Sequence, residues 1–281
     1  MTMKKILKCT LPVLMAFMVQ GAFAQTHQLE KLWETDTVVR IPESVLPDFK
    51  KKILYVSEIE GNPSAVDGKG GIAKIGLDGK IINLDFTTGI NSPKGLGRVG
   101  NQLYAADLSE VVVIDIKTGK VISKIPVDSA KMLNDITVDD KGIVYVSDSK
   151  TKKIHRIEKG KVTTFLTNVN GVNGLKAINN DLYILGGQKF MKADSKGNLI
   201  QITTLSCGGD GLEPVGNGDF LITCWSGHIF YVTADGKIET LLDSEPQKMN
   251  TADLGYDTVN HILYVPTFFG KKVVAYKLIT R

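Results

Sequence analysis

At 281 residues, 43% of them hydrophobic and 23% charged, the chain is long enough for one sizeable core and falls in the range of single all-β domains. Its formal charge is +4, and the first 24 residues contribute three lysines and no acid, so the remainder would carry +1. So nearly neutral a chain gives no electrostatic case for nucleic acid or an anionic membrane surface.

The start of the chain reads as an export signal. Lys4, Lys5 and Lys8 form a basic segment, Leu11 to Val19 an apolar one, and Ala22-Phe23-Ala24 a small-x-small cleavage site before Gln25. The apolar run is too short to span a bilayer, and no later run is longer. Residues 1–24 are therefore expected to be removed, Cys9 with them, leaving residues 25–281 in the periplasm or outside the cell. His27 falls in an expected disordered start.

From there the chain repeats. Leu133 to Asp148 (LNDITVDDKGIVYVSD) has alternating apolar residues on two arms and turn chemistry at Asp139-Asp140-Lys141-Gly142, the signature of a β-hairpin. The repeated block begins at Asn134 and its partners at Glu43, Lys94, Asn173, Asp210 and Ala252, so the six starts are 51, 40, 39, 37 and 42 residues apart. Each of the first five blocks is followed by a second hairpin with glycine in its turn, such as Asp78-Gly79-Lys80 and Thr118-Gly119-Lys120. Four strands every forty residues or so predict an all-β, six-bladed β-propeller. The long first step places its excess in a loop from Ile59 to Gly71. The sixth block ends one strand short, and Leu29 to Val38 is expected to supply the missing outer strand and close the ring. Helical periodicity is nearly absent, which excludes doubly wound and barrel α/β folds.

Two cysteines remain beyond the signal, Cys207 and Cys224, near the open end of a predicted hairpin turning at Gly216-Asn217. They form either a disulfide, which would stabilise by roughly 3 kcal/mol in the chain-entropy model, or a pair of small buried thiols.

In a propeller the first strand of each blade lines a central channel, so the residue opening each first strand faces its mouth. That column reads Glu43, Lys94, Asn134, Asn173, Asp210, Ala252. Two carboxylates and two amides converging from four blades suit a hard cation such as Ca²⁺, and the absence of His or Cys disfavours zinc or copper. Polar residues meeting solvent are the plainer alternative.

The ordered stretches Pro42-Glu43-Ser44, Asn134-Asp135, Asn173-Gly174-Leu175 and Asp210-Gly211-Leu212 resemble the six-bladed calcium-dependent lactonases, the family of gluconolactonase, senescence marker protein and diisopropyl fluorophosphatase. The resemblance implies that Glu43, Asn173 and Asp210 hold a divalent cation and that Asn134 is a further ligand or contacts substrate. It implies hydrolysis of a lactone or related activated ester, with Asp210 as general base or nucleophile. Two residues depart from this pattern. The Lys94 ammonium, if about 6 Å from a divalent ion at an effective dielectric near 20, would be repelled by roughly 5 kcal/mol. It either swings out to an anionic substrate group or neutralises Glu43 and Asp210. Ala252 is silent, and the side chain of Asp253 is expected on the other side of its strand.

Around the mouth, Asp148, at the end of a second strand, and Trp225 and His228 are expected to shape a small-molecule pocket, with Phe268 and Phe269 as further wall. His155 and His261 fall away from it, and the tyrosines Tyr55, Tyr104, Tyr145, Tyr183 and Tyr264 are expected between blades. Gly95-x-Gly97-x-x-Gly100 matches a dinucleotide fingerprint in letters only, since it opens no helix. A non-catalytic propeller binding a sugar, peptide or protein is the rival reading.

Overall fold

The computed structural model describes residues 26–280; the expected signal, residues 1–24, lies outside them. Six antiparallel four-stranded sheets are arranged as a β-propeller, five of them built from four consecutive strands. The inner strands are Pro42–Asp48, Pro93–Val99, Leu133–Val138, Val172–Ile178, Gly209–Pro214 and Gly255–Asp257. Among the described residues the only helical segments are the single 3-10 turns Glu245–Gln247 and Phe268–Gly270, and no helix is long and apolar enough to cross a membrane.

The N-terminal strand does close the sixth sheet, though its bounds are His27–Glu34 rather than Leu29 to Val38. It pairs antiparallel with the last strand, from His27 opposite Thr280 to Glu34 opposite Val274. His27 is thus ordered, contrary to expectation. Its backbone N–H and its Nδ1 both meet the Glu239 carboxylate, at 2.8 and 2.7 Å, and its ring stacks on Tyr231. Those contacts fasten the closing strand to the fifth blade.

The core sits in the seams between blades. Second strands such as Ile53–Glu58 are buried along their whole length, because neighbouring sheets cover both faces. Tyr55 and Tyr264 are fully buried there, and Tyr145 and Tyr183 pack against Phe165 and Phe220. Outer strands such as Val121–Pro126 alternate poorly and stay largely exposed.

One irregularity positions everything at the channel mouth. In each of the first five blades the register shifts just after the first residue of the inner strand, for example between Pro42 and Val45 and between Leu133 and Ile136. Such a bulge re-aims side chains and breaks alternation. Second-strand hydroxyls satisfy the displaced amides: Ser57, Ser147 and Thr223 accept from the N–H of Ser44, Asp135 and Gly211, each at 2.9 Å. The inner strands also approach closely. A Cβ on Gly95 would stand 2.5 Å from Asp135, and one on Gly211 2.6 Å from Asp253, so glycine there makes room for the neighbouring acid.

Candidate functional site

Five of the six column residues are each the second residue of their inner strand, Ala252 preceding the sixth, and three of them form one cluster. Asn173 Nδ2 donates to Asp210 Oδ1 at 2.6 Å, and the charge of Asp210 reaches Glu43. Glu43 and Asp210 are 6% and 4% exposed. Burial pushes the Glu43 carboxyl well above its ordinary range; Asp210 and Asp253 push it further, and Lys94 opposes them. Burial likewise raises Asp210 to about 7, against the lowering effect of the Asn173 hydrogen bond. Glu43 Oε2 is buried with no hydrogen-bond partner, an expensive position for a carboxylate oxygen. Asn134 Nδ2 donates to Ser149 Oγ at 3.1 Å, a bond that does not occupy its amide oxygen.

Lys94 does not swing outward, and it offsets the charge of Glu43 only through space. Its ammonium donates to Ser92 O, Ser92 Oγ and Pro63 O at 3.0 to 3.1 Å, and it is 5% exposed. It thereby pins the long first-blade loop, through Pro63, to the second blade. It offers no free group to an anion, and its hydrogen bonds go elsewhere than Glu43. Ala252 is silent because it is covered: Phe268, Ile59 and Ile41 pack on it. Phe268 also meets Trp225 edge-to-face at 5.5 Å, and Phe269 stands against both rings. Trp225 and Phe269 are 43% and 59% exposed, so one side of the mouth is an open aromatic wall and the other a buried acid cluster.

Two expected pocket residues are engaged elsewhere. Asp148 is fully buried and accepts from the backbone N–H of Lys131, Met132, Lys150 and Thr151, which fastens loops and leaves no oxygen for a substrate. His228 lies with its ring over Phe230 and its Nε2 3.5 Å from Asp243 of the outer strand, and contacts no column side chain. Cys207 and Cys224 form a disulfide, with Cα atoms 6.1 Å apart.

Asp253 is a correction. Its side chain does not leave the channel: Oδ2 accepts from Ser44 Oγ at 2.5 Å, and burial with the charge of Asp210 raises it to about 8. Asp253 lies just before the sixth inner strand, Gly255–Asp257, and is bridged to Ser44 of the first blade, so the strand alternation on which the opposite expectation rested does not govern it. Asp135 joins it one level below the mouth, accepting from the N–H of Leu175 and Ile136 at 2.6 Å, its carboxyl raised by burial and by Asp253. These acids were legible only as the residues following the column, where Ser44, Asp135 and Asp253 interrupt Gly95, Gly174 and Gly211. Below them a cavity of about 200 Å³ opens to the far face, its rim holding Arg98, Lys176 and Glu213.

The donors at the mouth are hard oxygens, which fits calcium or magnesium chemistry. Among the described residues no three His, Cys, Asp or Glu side chains converge as a metal-holding group, so any such site must draw on amide oxygens and solvent. The buried, unpartnered Glu43 Oε2 beside Asp210 is the observation that fits a missing positive group.

No family model and no curated protein matches the chain. Solved structures do. Virginiamycin B lyase from Staphylococcus aureus is similar with a TM-score of 0.66 at 16% identity, over 90% of this chain and 100% of that one. A streptogramin B lyase is similar with a TM-score of 0.63 at 13% identity, over 90% and 98%. A chain of a nidogen–laminin complex is similar with a TM-score of 0.63 at 16% identity, over 76% and 84%. At such identities the likeness establishes the six-bladed propeller fold and leaves the chemistry to this chain's own residues.

Proposed function

We propose that the protein is an exported, divalent-cation-dependent hydrolase of lactones or related activated esters, with its site at the channel mouth. The observation that carries the reading is the buried pair Glu43 and Asp210, with Glu43 Oε2 unpartnered and the nearest lysine spent on a loop. Glu43, Asp210 and the amide oxygens of Asn173 and Asn134 would hold the cation. When bound, a divalent cation supplies Lewis-acid polarisation of a carbonyl or phosphoryl oxygen.

The chain's own part is positioning and proton handling. Burial raises Asp210 to about 7 in the cation-free chain, and a bound cation would favour its carboxylate form, which would serve as general base toward water or as the attacking carboxylate. Asn173 fixes the Asp210 oxygen that it contacts. Trp225 and Phe269 offer an apolar face against which a substrate ring lies and from which water is displaced. The disulfide supports an oxidising compartment, in keeping with the signal-like first 24 residues.

Calorimetry with Ca²⁺ and lactone hydrolysis with and without a chelator test the reading. Heat of binding and chelator-sensitive turnover are expected; full turnover under chelation overturns it. The rival, a non-catalytic binding propeller, draws support from Lys94 and Ala252, which remove two of six column positions from any ligand. No calcium heat together with no turnover of any lactone would favour it.

A further inference from the structure

Three blades fasten the loop entering their inner strand in one way. The last residue of the second strand is an acid, and it accepts the backbone N–H of the residue three places before the column position and, in the second and third blades, that of the residue two places before as well. Glu58 accepts from Arg40 at 2.8 Å, Asp107 from Asn91 and Ser92 at 2.9 and 2.7 Å, and Asp148 from Lys131 and Met132 at 2.9 and 3.2 Å. In the fifth blade the same second-strand position is Cys224, opposite Gly209 as Asp148 is opposite Leu133. The residue three before Asp210 is Cys207, and the two are bonded.

We propose that the disulfide is the covalent counterpart of these carboxylate ties, and that Cys207 and Cys224 are positioning residues for the Asp210 carboxylate. The loop between Cys207 and Asp210 is Gly208-Gly209, the most freely rotating pair available. Asp210 is 4% exposed at the end of that glycine pair, so an untethered loop would be free to carry its carboxylate out to solvent. Tying Cys207 to a fully buried Cys224 removes that escape. The inference rests on the cation reading only for the consequence at the mouth; the tie itself is independent of it.

Two variants test it: Cys207→Ser with Cys224→Ser, which removes the tie, and Cys207→Ser with Cys224→Asp, which rebuilds it in the form used by the first three blades. Amide hydrogen exchange of residues 205–212, with 213–221 as internal control, reports loop position without any cation. Exchange about tenfold faster in 205–212 alone is expected of the double serine variant, with calcium affinity about 10- to 100-fold weaker. The aspartate variant is expected to regain most of both. A folded double serine variant with unchanged exchange in 205–212 overturns the proposal, as does a folded aspartate variant that regains no protection. If the serine variant does not fold, a folded aspartate variant with wild-type protection upholds the tie, and failure of both to fold overturns a local role. Absence of calcium heat in the wild type removes the cation reading and leaves the exchange comparison to decide.

Discussion

The two ends of the channel treat charge differently. At the far end acids meet bases: Arg98 Nη1 lies 2.6 Å from the buried Asp48, and Lys176 Nζ lies 2.6 Å from Glu213. At the mouth Glu43 and Asp210 are equally buried, yet the one nearby ammonium is hydrogen-bonded to Ser92 and Pro63. Burying carboxylates without partners costs stability. The far end shows that this chain can pair its channel charges, so the imbalance at the mouth marks where a ligand would complete the set.

The comparison can be broken in four ways. The largest effect is expected from Asp210→Ala, which should weaken calcium binding by at least about 100-fold, since even partners one step removed commonly cost 10- to 100-fold; titration calorimetry reads it. Arg98→Ala should do the opposite. It leaves the buried Asp48 with the Lys51 backbone N–H and a Lys51 ammonium 4.0 Å away and, discounted for an arginine one-third exposed, should cost about 2 kcal/mol in denaturant unfolding while leaving turnover unchanged.

Next comes pH. Asp210 and Asp253 titrate at about 7 and about 8 in the folded chain and at about 3.9 when unfolded. Between those limits the folded state holds more protons, so cation-free stability should fall as pH rises from about 4 to about 8. A thermal midpoint that rises across that window would contradict the description of the mouth, and calcium should flatten the decline. The smallest effect belongs to Trp225→Ala, which should raise KM roughly fivefold for ring-bearing lactones with kcat nearly unchanged.

Spacing alone disclosed the blade count, the closing strand and the column Glu43, Asn173, Asp210, because hairpin chemistry repeats locally and needs no tertiary information. What escaped was set by contacts between blades. Strict alternation sends Asp253 out of the channel, whereas it lies ahead of the sixth inner strand, bridged to Ser44 of the first blade, whose hydroxyl donates to its carboxylate. Lys94 escaped too, since beside the nearby Ser92 its partner Pro63 lies in a loop 31 residues away whose course no pattern encodes. Asp148 and Cys224 looked like a pocket residue and an ambiguous thiol. Only pairing across the sheet reveals them as two versions of one fastening.

The ring is shut by joining His27–Glu34 to Val273–Thr280, the first and last of the described strands. The other five sheets are each built from consecutive strands, so the sixth is the one whose closure requires two segments distant in sequence to meet. Anything that keeps His27–Glu34 away from Val273–Thr280 would leave that seam unzipped and a strand edge open to foreign pairing.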